Sequence, residues 1–275
     1  MSPHPPDDRD PGMIAALPCP PRRLPSLLAL TAGLVIGAAG PAEAAKNWAV
    51  EYDSSVEGTN NLEQRAAGNP DLTWRNSVEF SYFPAADADN SALFRLQALN
   101  QRYLYNPDFN STYLIGTALA SRRVVQSLFG YGGYQLLYKQ ADSAGGVSRQ
   151  DNDVFGGMVQ YLPISSSQLV FHGYQFDVLR AAVRETSYQG HSLYVTYRNL
   201  TTDRWTNSVG ARSQLRLFDT IGQIEWRNQL TAETDYHLFD WWALEGEVIL
   251  INSTTTIPGF AFNGWNVALF SRFAL

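Results

Sequence analysis

Hydrophobicity alternates with a period of two residues along most of this chain, and this pattern limits what the chain can fold into. The clearest stretch is residues 223–236, where every second residue from Gln223 to Asp235 is polar and the intervening residues are largely apolar. Such a segment is typical of a β-strand with one polar and one apolar face. The pattern recurs in segment after segment, and the sequence predicts no helix that could cover the apolar faces. We therefore expect lipid to cover them. A closed antiparallel barrel in a membrane has this arrangement, apolar outside and polar inside.

The first 45 residues have the organisation of an export signal. Arg22 and Arg23 precede an apolar run from Leu24 to Gly40, and a small-residue site follows at Ala42 to Ala45. Positive charge, apolar run and cleavage site in that order indicate a secretory signal peptide. The alternative is a membrane anchor, but the run of about 17 residues is shorter than the roughly 20 that a helical span needs.

We therefore predict a cleaved signal over residues 1–45, with Met1 or Met13 as the start, and a single domain over residues 46–275. No later stretch is apolar and long enough for a transmembrane helix, so a membrane domain built from this chain must be a barrel. The signal and the barrel pattern together predict an exported protein embedded in a membrane.

Composition narrows the function classes. The only cysteine, Cys19, lies before the predicted cleavage site, so the mature chain is expected to have neither disulfides nor thiolate metal sites. The formal net charge is −6, which leaves no basic footprint for nucleic acid. The glycine-rich segments lack the strand-to-helix setting of a phosphate loop, and no calcium-loop spacing occurs, so no cofactor or metal is predicted.

Counting alternating segments between turn signals predicts an all-β, up-and-down barrel of about twelve strands. Ten or fourteen strands are the alternatives, chiefly because the turn chemistry around Arg122 and Arg123 is weak. The predicted strands are Asn47–Glu57, Leu72–Phe83, Ala92–Tyr105, Ser111–Ser121, Val125–Gln140, Asn152–Tyr161, Gln168–Arg180, Ser187–Leu200, Arg204–Leu217, Gly222–Asp235, Trp241–Asn252 and Asn263–Leu275.

The connections between these strands differ in length in a regular way. Barrels of this class have short periplasmic turns and longer external loops. With a periplasmic N-terminus, the predicted external loops include the long segments Gly58–Asp71, Ala141–Asp151 and Ser253–Phe262. The predicted periplasmic turns are shorter, apart from Pro84–Ser91. Tryptophan and tyrosine residues gather near strand ends, as in the aromatic girdles at membrane interfaces.

Four segments resemble the outer-membrane β-barrel proteins of Gram-negative bacteria, and the likeness in size and layout covers residues 46–275. They are the alternating closing strand Trp265 to Leu275, the strand exits Tyr82 to Pro84 and Tyr161 to Pro163, and the opening segment Glu51 to Ser55. In that family the insertion machinery reads a closing strand that ends in an aromatic residue. Here the last residue is leucine, and Ser271 interrupts the apolar face. The opening segment is also similar to barrel domains of polysaccharide-export proteins.

The predicted inward face carries nearly balanced acids and bases. One interpretation is a narrow aqueous pore whose walls carry both signs, with Arg198, Arg212 and Arg216 facing acids on the tenth and eleventh strands. The other is a lumen plugged by salt bridges. The candidate lumen and selectivity residues are Arg75, Arg95, Arg198, Arg212, Arg216, Arg227, Glu225, Glu233, Asp235, Glu245 and Glu247; further predicted inward charges are Glu51, Asp53, Glu79, Lys139, Asp177 and Arg272.

An enzyme is the main alternative class, since some barrels of this size resemble lipid-modifying hydrolases with serine and histidine on the lipid face. His191 shares the parity of apolar residues and is predicted to face lipid near the outer rim. His172 is also predicted to face outward. Ser192 must then point to the opposite face, so a nucleophile would have to be Ser187 or a residue on a neighbouring strand. No catalytic residue is predicted.

We conclude from the sequence that the chain is an outer-membrane barrel, best interpreted as a narrow passive channel for ions or small polar solutes. A plugged structural or polysaccharide-export partner barrel and a lipid-modifying hydrolase are the alternatives. The expected partners are outer-membrane lipid, the insertion machinery and a small polar solute.

Overall fold

A computed structural model describes residues 47–60, 70–86, 89–142, 148–182, 184–219, 222–257 and 261–274. The described residues form twelve strands joined in one closed barrel, which confirms the predicted architecture. The predicted signal over residues 1–45 lies outside the described residues. The strands are β1 Trp48–Thr59, β2 Asp71–Ala86, β3 Asn90–Tyr103, β4 Ser111–Val125, β5 Leu128–Ala141, β6 Arg149–Pro163, β7 Gln168–Ala181, β8 Tyr188–Thr202, β9 Trp205–Phe218, β10 Ile224–Phe239, β11 Trp242–Thr255 and β12 Phe262–Ala274.

Every strand pairs antiparallel with its neighbours along the chain, and β1 closes the ring by pairing with β12. Glu51 lies opposite Glu79 on β2 and Ala274 on β12, so the first strand has a partner on both edges. Closure leaves no edge strand in the ring, which is the condition for sheet structure inside a bilayer. No helix among the described residues has the length and apolarity to cross a membrane.

One predicted turn was wrong in position. The sequence indicated a break at Arg122 and Arg123, but β4 continues to Val125 and β5 starts at Leu128. The β-branched residues Val124 and Val125 favour extended backbone, and the Arg123 guanidinium group contacts Asp89 across the strand end at 3.2 Å. The strand count is unchanged because the turn moved by a few residues.

The connections have the predicted asymmetry. At one end, the short-turn end, residues 87–89, 126–127, 164–167, 203–204 and 240–241 join the strands. At the other, the long-loop end, the connections are residues 60–70, 104–110, 142–148, 182–187, 219–223 and 256–261. The apparent exception Pro84–Ser91 disappears, since β2 extends to Ala86 and β3 starts at Asn90.

The outer face of the barrel is an apolar belt. Exposed side chains on this face include Val56, Leu96, Leu230, Leu250 and Leu269, all at alternating positions. Aromatic rings stack at the short-turn end of β10 to β12, where the Trp242 and Phe273 rings lie 5.8 Å apart at 9°. A belt of this kind with interfacial aromatics is the lipid-facing surface of a transmembrane barrel.

An apolar cluster lies inside the barrel on one side of its wall. Phe129, Tyr131, Phe155, Phe171 and Tyr194 are buried there around Val159, which has no exposed surface. Tyr131 lies opposite Gly157, Phe155 opposite Gly133, and Tyr194 opposite Gly173. Each ring is therefore paired with a glycine of the neighbouring strand, and it lies over the space that a larger residue's side chain would fill. The glycine-rich segments thus accommodate large rings on the inner wall.

Candidate functional site: the lumen

All eleven candidate lumen residues lie on the inward face of their strands, as the alternation predicted. Glu233 is exposed, and the others are buried or half-buried. Residues that point into the same barrel need not lie close to one another. The register between strands divides the eleven residues into two groups. One group lies toward the long-loop end and the other toward the short-turn end.

The group toward the long-loop end centres on Glu225. Its carboxylate accepts a hydrogen bond of 3.0 Å from the Arg227 Nη2 atom and lies 3.4 Å from the Arg216 Nη1 atom. The Ser253 hydroxyl donates a further hydrogen bond to it at 2.6 Å. This places Arg216 on β9 and Glu225 on β10 together, as the sequence predicted.

Two aromatic rings hold the arginines of this group in place. The Arg216 guanidinium carbon lies 4.7 Å from the centre of the Tyr188 ring, and that of Arg227 lies 5.3 Å from the centre of the Phe262 ring. Planar guanidinium groups stack well on aromatic faces, and such contacts restrain the side chain. The two arginines are therefore anchored by the shared acid and by a ring each.

Arg212 has a different environment. Its Nη2 atom donates to the Ser192 hydroxyl at 2.9 Å, and the adjacent Gln214 amide donates to Asp177 at 3.3 Å. A small polar chamber inside the barrel is lined by Arg212, Gln214, Asp177, Asp151 and Asp153. Acids from β6 and β7 thus face arginines from β9 across this chamber.

The group toward the short-turn end centres on Arg272 of β12. Its guanidinium group contacts the Glu245 carboxylate and lies 3.7 Å from both Asp53 and Asp235. On the adjacent wall, the Arg95 Nε atom lies 2.8 Å from Glu79. Here Arg272 is shared among several acids.

Arg198 is separated from Arg212 and Arg216, which corrects the expectation of one basic group. It lies opposite Ser208, whereas Arg212 lies opposite Tyr194, closer to the long-loop end. Ser208 in turn donates to Glu233 at 2.7 Å. Glu233 lies opposite Glu247, so the middle of the barrel has acids on β10 and β11.

Three inward charges were not predicted from the sequence, one beyond a predicted strand end and two inside predicted strands. Asp151 was assigned to a loop, but it is buried on β6 with its carboxylate 3.0 Å from the Arg149 Nε atom. Asp153 was left out although it lines the chamber. Glu57, at the predicted end of the first strand, contacts the candidate Arg75. Extending the alternation past the predicted strand start would have found Asp151, and applying it inside the predicted strands would have found Asp153 and Glu57.

The histidines lie as predicted. His191 is on the outer face, where its Nδ1 atom is 2.7 Å from the Tyr174 hydroxyl. Ser192 points inward to Arg212, and the Ser187 hydroxyl accepts a hydrogen bond from the Ala181 backbone. Within the described residues, neither serine is hydrogen-bonded to a histidine.

Known proteins resemble this chain in structure but not in sequence. No protein-family model matches the chain, and no curated protein matches it. An outer-membrane channel from Pseudomonas putida F1 aligns with a TM-score of 0.57 at 6% identity, covering 83% of this chain and 95% of the channel. A bacterial polysaccharide outer-membrane secretin aligns with a TM-score of 0.54 at 12% identity, covering 82% and 98%. The NanC porin aligns with a TM-score of 0.50 at 7% identity, covering 81% and 98%.

The chain has the fold of an outer-membrane β-barrel. This agrees with the apolar belt and the closed ring, and it confirms the resemblance seen in the sequence. Identities this low show the fold alone, so the function of this barrel depends on its own lumen.

Proposed function

We propose that this barrel is a narrow passive channel of the outer membrane that conducts ions or small polar solutes through a lumen of mixed charge. The observation that carries the proposal is the exposure of Glu233, which points inward and lies in the middle of the wall. An exposed carboxylate on the inner face indicates water in the lumen at that level. A lumen sealed by salt bridges would bury the acid instead.

The distribution of charge around the ring supports the same proposal. The inward charges of β8 and β9 are the arginines Arg198, Arg212 and Arg216, whereas β10 and β11 carry five inward acids and Arg227. Neighbouring walls of opposite sign set up a field across the lumen, and such a field orients polar solutes and sets ion preference. The five acids are Glu225, Glu233, Asp235, Glu245 and Glu247.

The aromatic cluster on β5 to β8 is compatible with an open lumen. The Tyr194 ring occupies the space that a side chain at residue 173 would fill, with its hydroxyl 2.5 Å from the point where a Cβ would lie. Tyr131 has the same relation to residue 157. Rings that lie along the wall project less toward the barrel axis than rings that stand upright.

The decisive experiment is single-channel conductance of the refolded mature chain in a planar bilayer. We expect discrete steps, and we expect Arg212→Glu and Arg216→Glu to shift the reversal potential in a KCl gradient toward cations. Arg122→Glu makes the same charge change at an exposed position outside the lumen and is the matched control. A silent bilayer from protein with the circular dichroism of a folded barrel would refute the channel and leave the plugged or export-partner barrel.

The route to the membrane is a further part of the proposal. We propose that residues 1–45 are removed on export and that the outer-membrane insertion machinery reads the closing strand β12. With the N-terminus in the periplasm, the short-turn end faces the periplasm, as in other barrels of this class. Mass spectrometry of protein extracted from outer membranes should give a mature chain that begins near residue 46. A retained N-terminus would argue for an anchor instead.

A further inference from the structure

Three pairs of acidic residues face each other directly across neighbouring strands in the short-turn half of the barrel. Glu51 lies opposite Glu79, Asp235 opposite Glu245, and Glu233 opposite Glu247. Like charges at directly opposed positions destabilise a sheet, so three such pairs in one region are costly. An arrangement of this kind requires positive charge nearby.

The described inward arginines of this half are too few to supply it. Arg95 approaches Glu79, while Arg272 is shared among Glu245, Asp53 and Asp235. Arg198 is the third arginine at this level. Arg123, at the end of the barrel, contacts Asp89 instead, and His237 lies 3.3 Å from Asp235. Against the three inward arginines stand seven carboxylates, which we call the acidic belt: Glu51, Asp53, Glu79, Glu233, Asp235, Glu245 and Glu247.

Glu51 has no hydrogen-bonded partner for its carboxylate, and the charges of Arg272 and Arg95 act on it only from a distance. Only 4% of its surface is exposed, yet its carboxylate makes no hydrogen bond or ion pair with any residue that the structure describes. It points into the belt beside Asp53 on the same strand and opposite Glu79. A buried carboxylate without a directly paired counter-charge is strongly unfavourable, so a cation at this position would offset a large desolvation cost.

We infer that the acidic belt binds cations as they pass through the lumen and that it makes the channel cation-selective. This inference rests on the proposed function, because it assumes a conducting lumen. The ligands are small monovalent cations such as K⁺, held by carboxylate oxygens in the way that acidic rings select ions in cation channels. The arginines toward the long-loop end act in the opposite sense and limit the selectivity.

The test is the reversal potential of the full mature chain in a KCl gradient, combined with conductance as a function of KCl concentration. The unmodified channel should favour K⁺ over Cl⁻, and its conductance should saturate as the belt fills. Glu51→Gln keeps the shape of the side chain and should lower the permeability ratio of K⁺ to Cl⁻ at least twofold and make the conductance more nearly linear with concentration. Glu247→Gln should act in the same direction.

Asp108→Asn, in the connection after β3, makes the same charge change outside the belt and should leave the ratio unchanged. A channel that conducts but prefers Cl⁻, or that ignores both belt substitutions, overturns this inference and leaves the channel proposal standing. A silent bilayer from folded protein overturns both.

Discussion

At the scale of single residues, the inner wall depends on glycines that face aromatic rings. A Cβ at residue 157 would lie 2.1 Å from the Tyr174 carbonyl oxygen, and one at residue 173 would lie 2.3 Å from the Met158 carbonyl oxygen. Real side chains do not tolerate such approaches to backbone. These glycines therefore allow neighbouring strands and rings to pack closely where the wall curves.

This packing predicts a specific loss of stability. Gly157→Ala should lower the free energy of unfolding by about 1–3 kcal/mol, because the added methyl group displaces backbone and the Tyr131 ring. Urea-induced unfolding in lipid vesicles, followed by tryptophan fluorescence, measures the change.

Gly116→Ala is the matched control for this substitution. It lies on β4, and nothing lies within 4 Å of the position its Cβ would take. It should be neutral or slightly stabilising. Equal effects of the two substitutions would show that the close contacts at residue 157 do not limit stability.

The role of Ser271 is clear from its contacts in the structure but not from the sequence. In the sequence it interrupts the apolar face of the closing strand. In the structure its hydroxyl accepts a hydrogen bond of 2.9 Å from the Trp242 indole nitrogen. A polar residue on the outer face is thus paired with an interfacial tryptophan whose N–H needs an acceptor.

At the scale of elements, successive residues of β10 face lipid and the lumen alternately. Leu230 is exposed on the outer face between Ala211 of β9 and Leu250 of β11, whereas Thr231 points inward. The two faces are therefore expected to respond differently to the same substitution.

Leu230→Arg should lower the free energy of unfolding by about 2–4 kcal/mol, because it places a charge in the hydrocarbon layer. Thr231→Arg makes a similar charge change toward the lumen and should cost much less. The comparison is made by equilibrium unfolding in the same lipid vesicles. If both substitutions cost the same, Leu230 does not face hydrocarbon.

At the scale of the whole molecule, closure of the ring by β1 and β12 is the decisive contact. Val56 lies opposite Leu269 on the outer face, more than 200 residues later in the chain. Directly opposed residues in an antiparallel pair have Cα atoms about 4.5–5.5 Å apart, which is within the range for a disulfide.

This predicts that a Val56→Cys, Leu269→Cys double variant, made with Cys19→Ser, forms an intramolecular disulfide on mild oxidation. The cross-link should appear as faster migration of the unfolded protein in gels without reducing agent. Val56→Cys with Val267→Cys is offset by two residues and should cross-link poorly. Efficient cross-linking of the offset pair alone would mean a shifted register.

The number and order of the strands could be predicted from the amino-acid sequence, and so could the inward position of the eleven candidate lumen residues. Those properties are local, because the alternation of side chains is set by the strand backbone. The strand ends were predicted less well: the turn after β4 was misplaced, and Asp151 was assigned to a loop, since turn chemistry and strand propensity overlap there.

Which charges meet is a property of the folded barrel. The register between strands determines three such arrangements. It places Glu51 opposite Glu79, brings Arg272 within reach of Asp53, Asp235 and Glu245, and separates Arg198 from Arg212. Register depends on how every hairpin and the β1 to β12 closure fit together around the ring, and a shift of one residue would turn a strand's lumen face toward lipid. The alternation along one strand carries no information about its partner's position, so the acidic belt could not be foreseen.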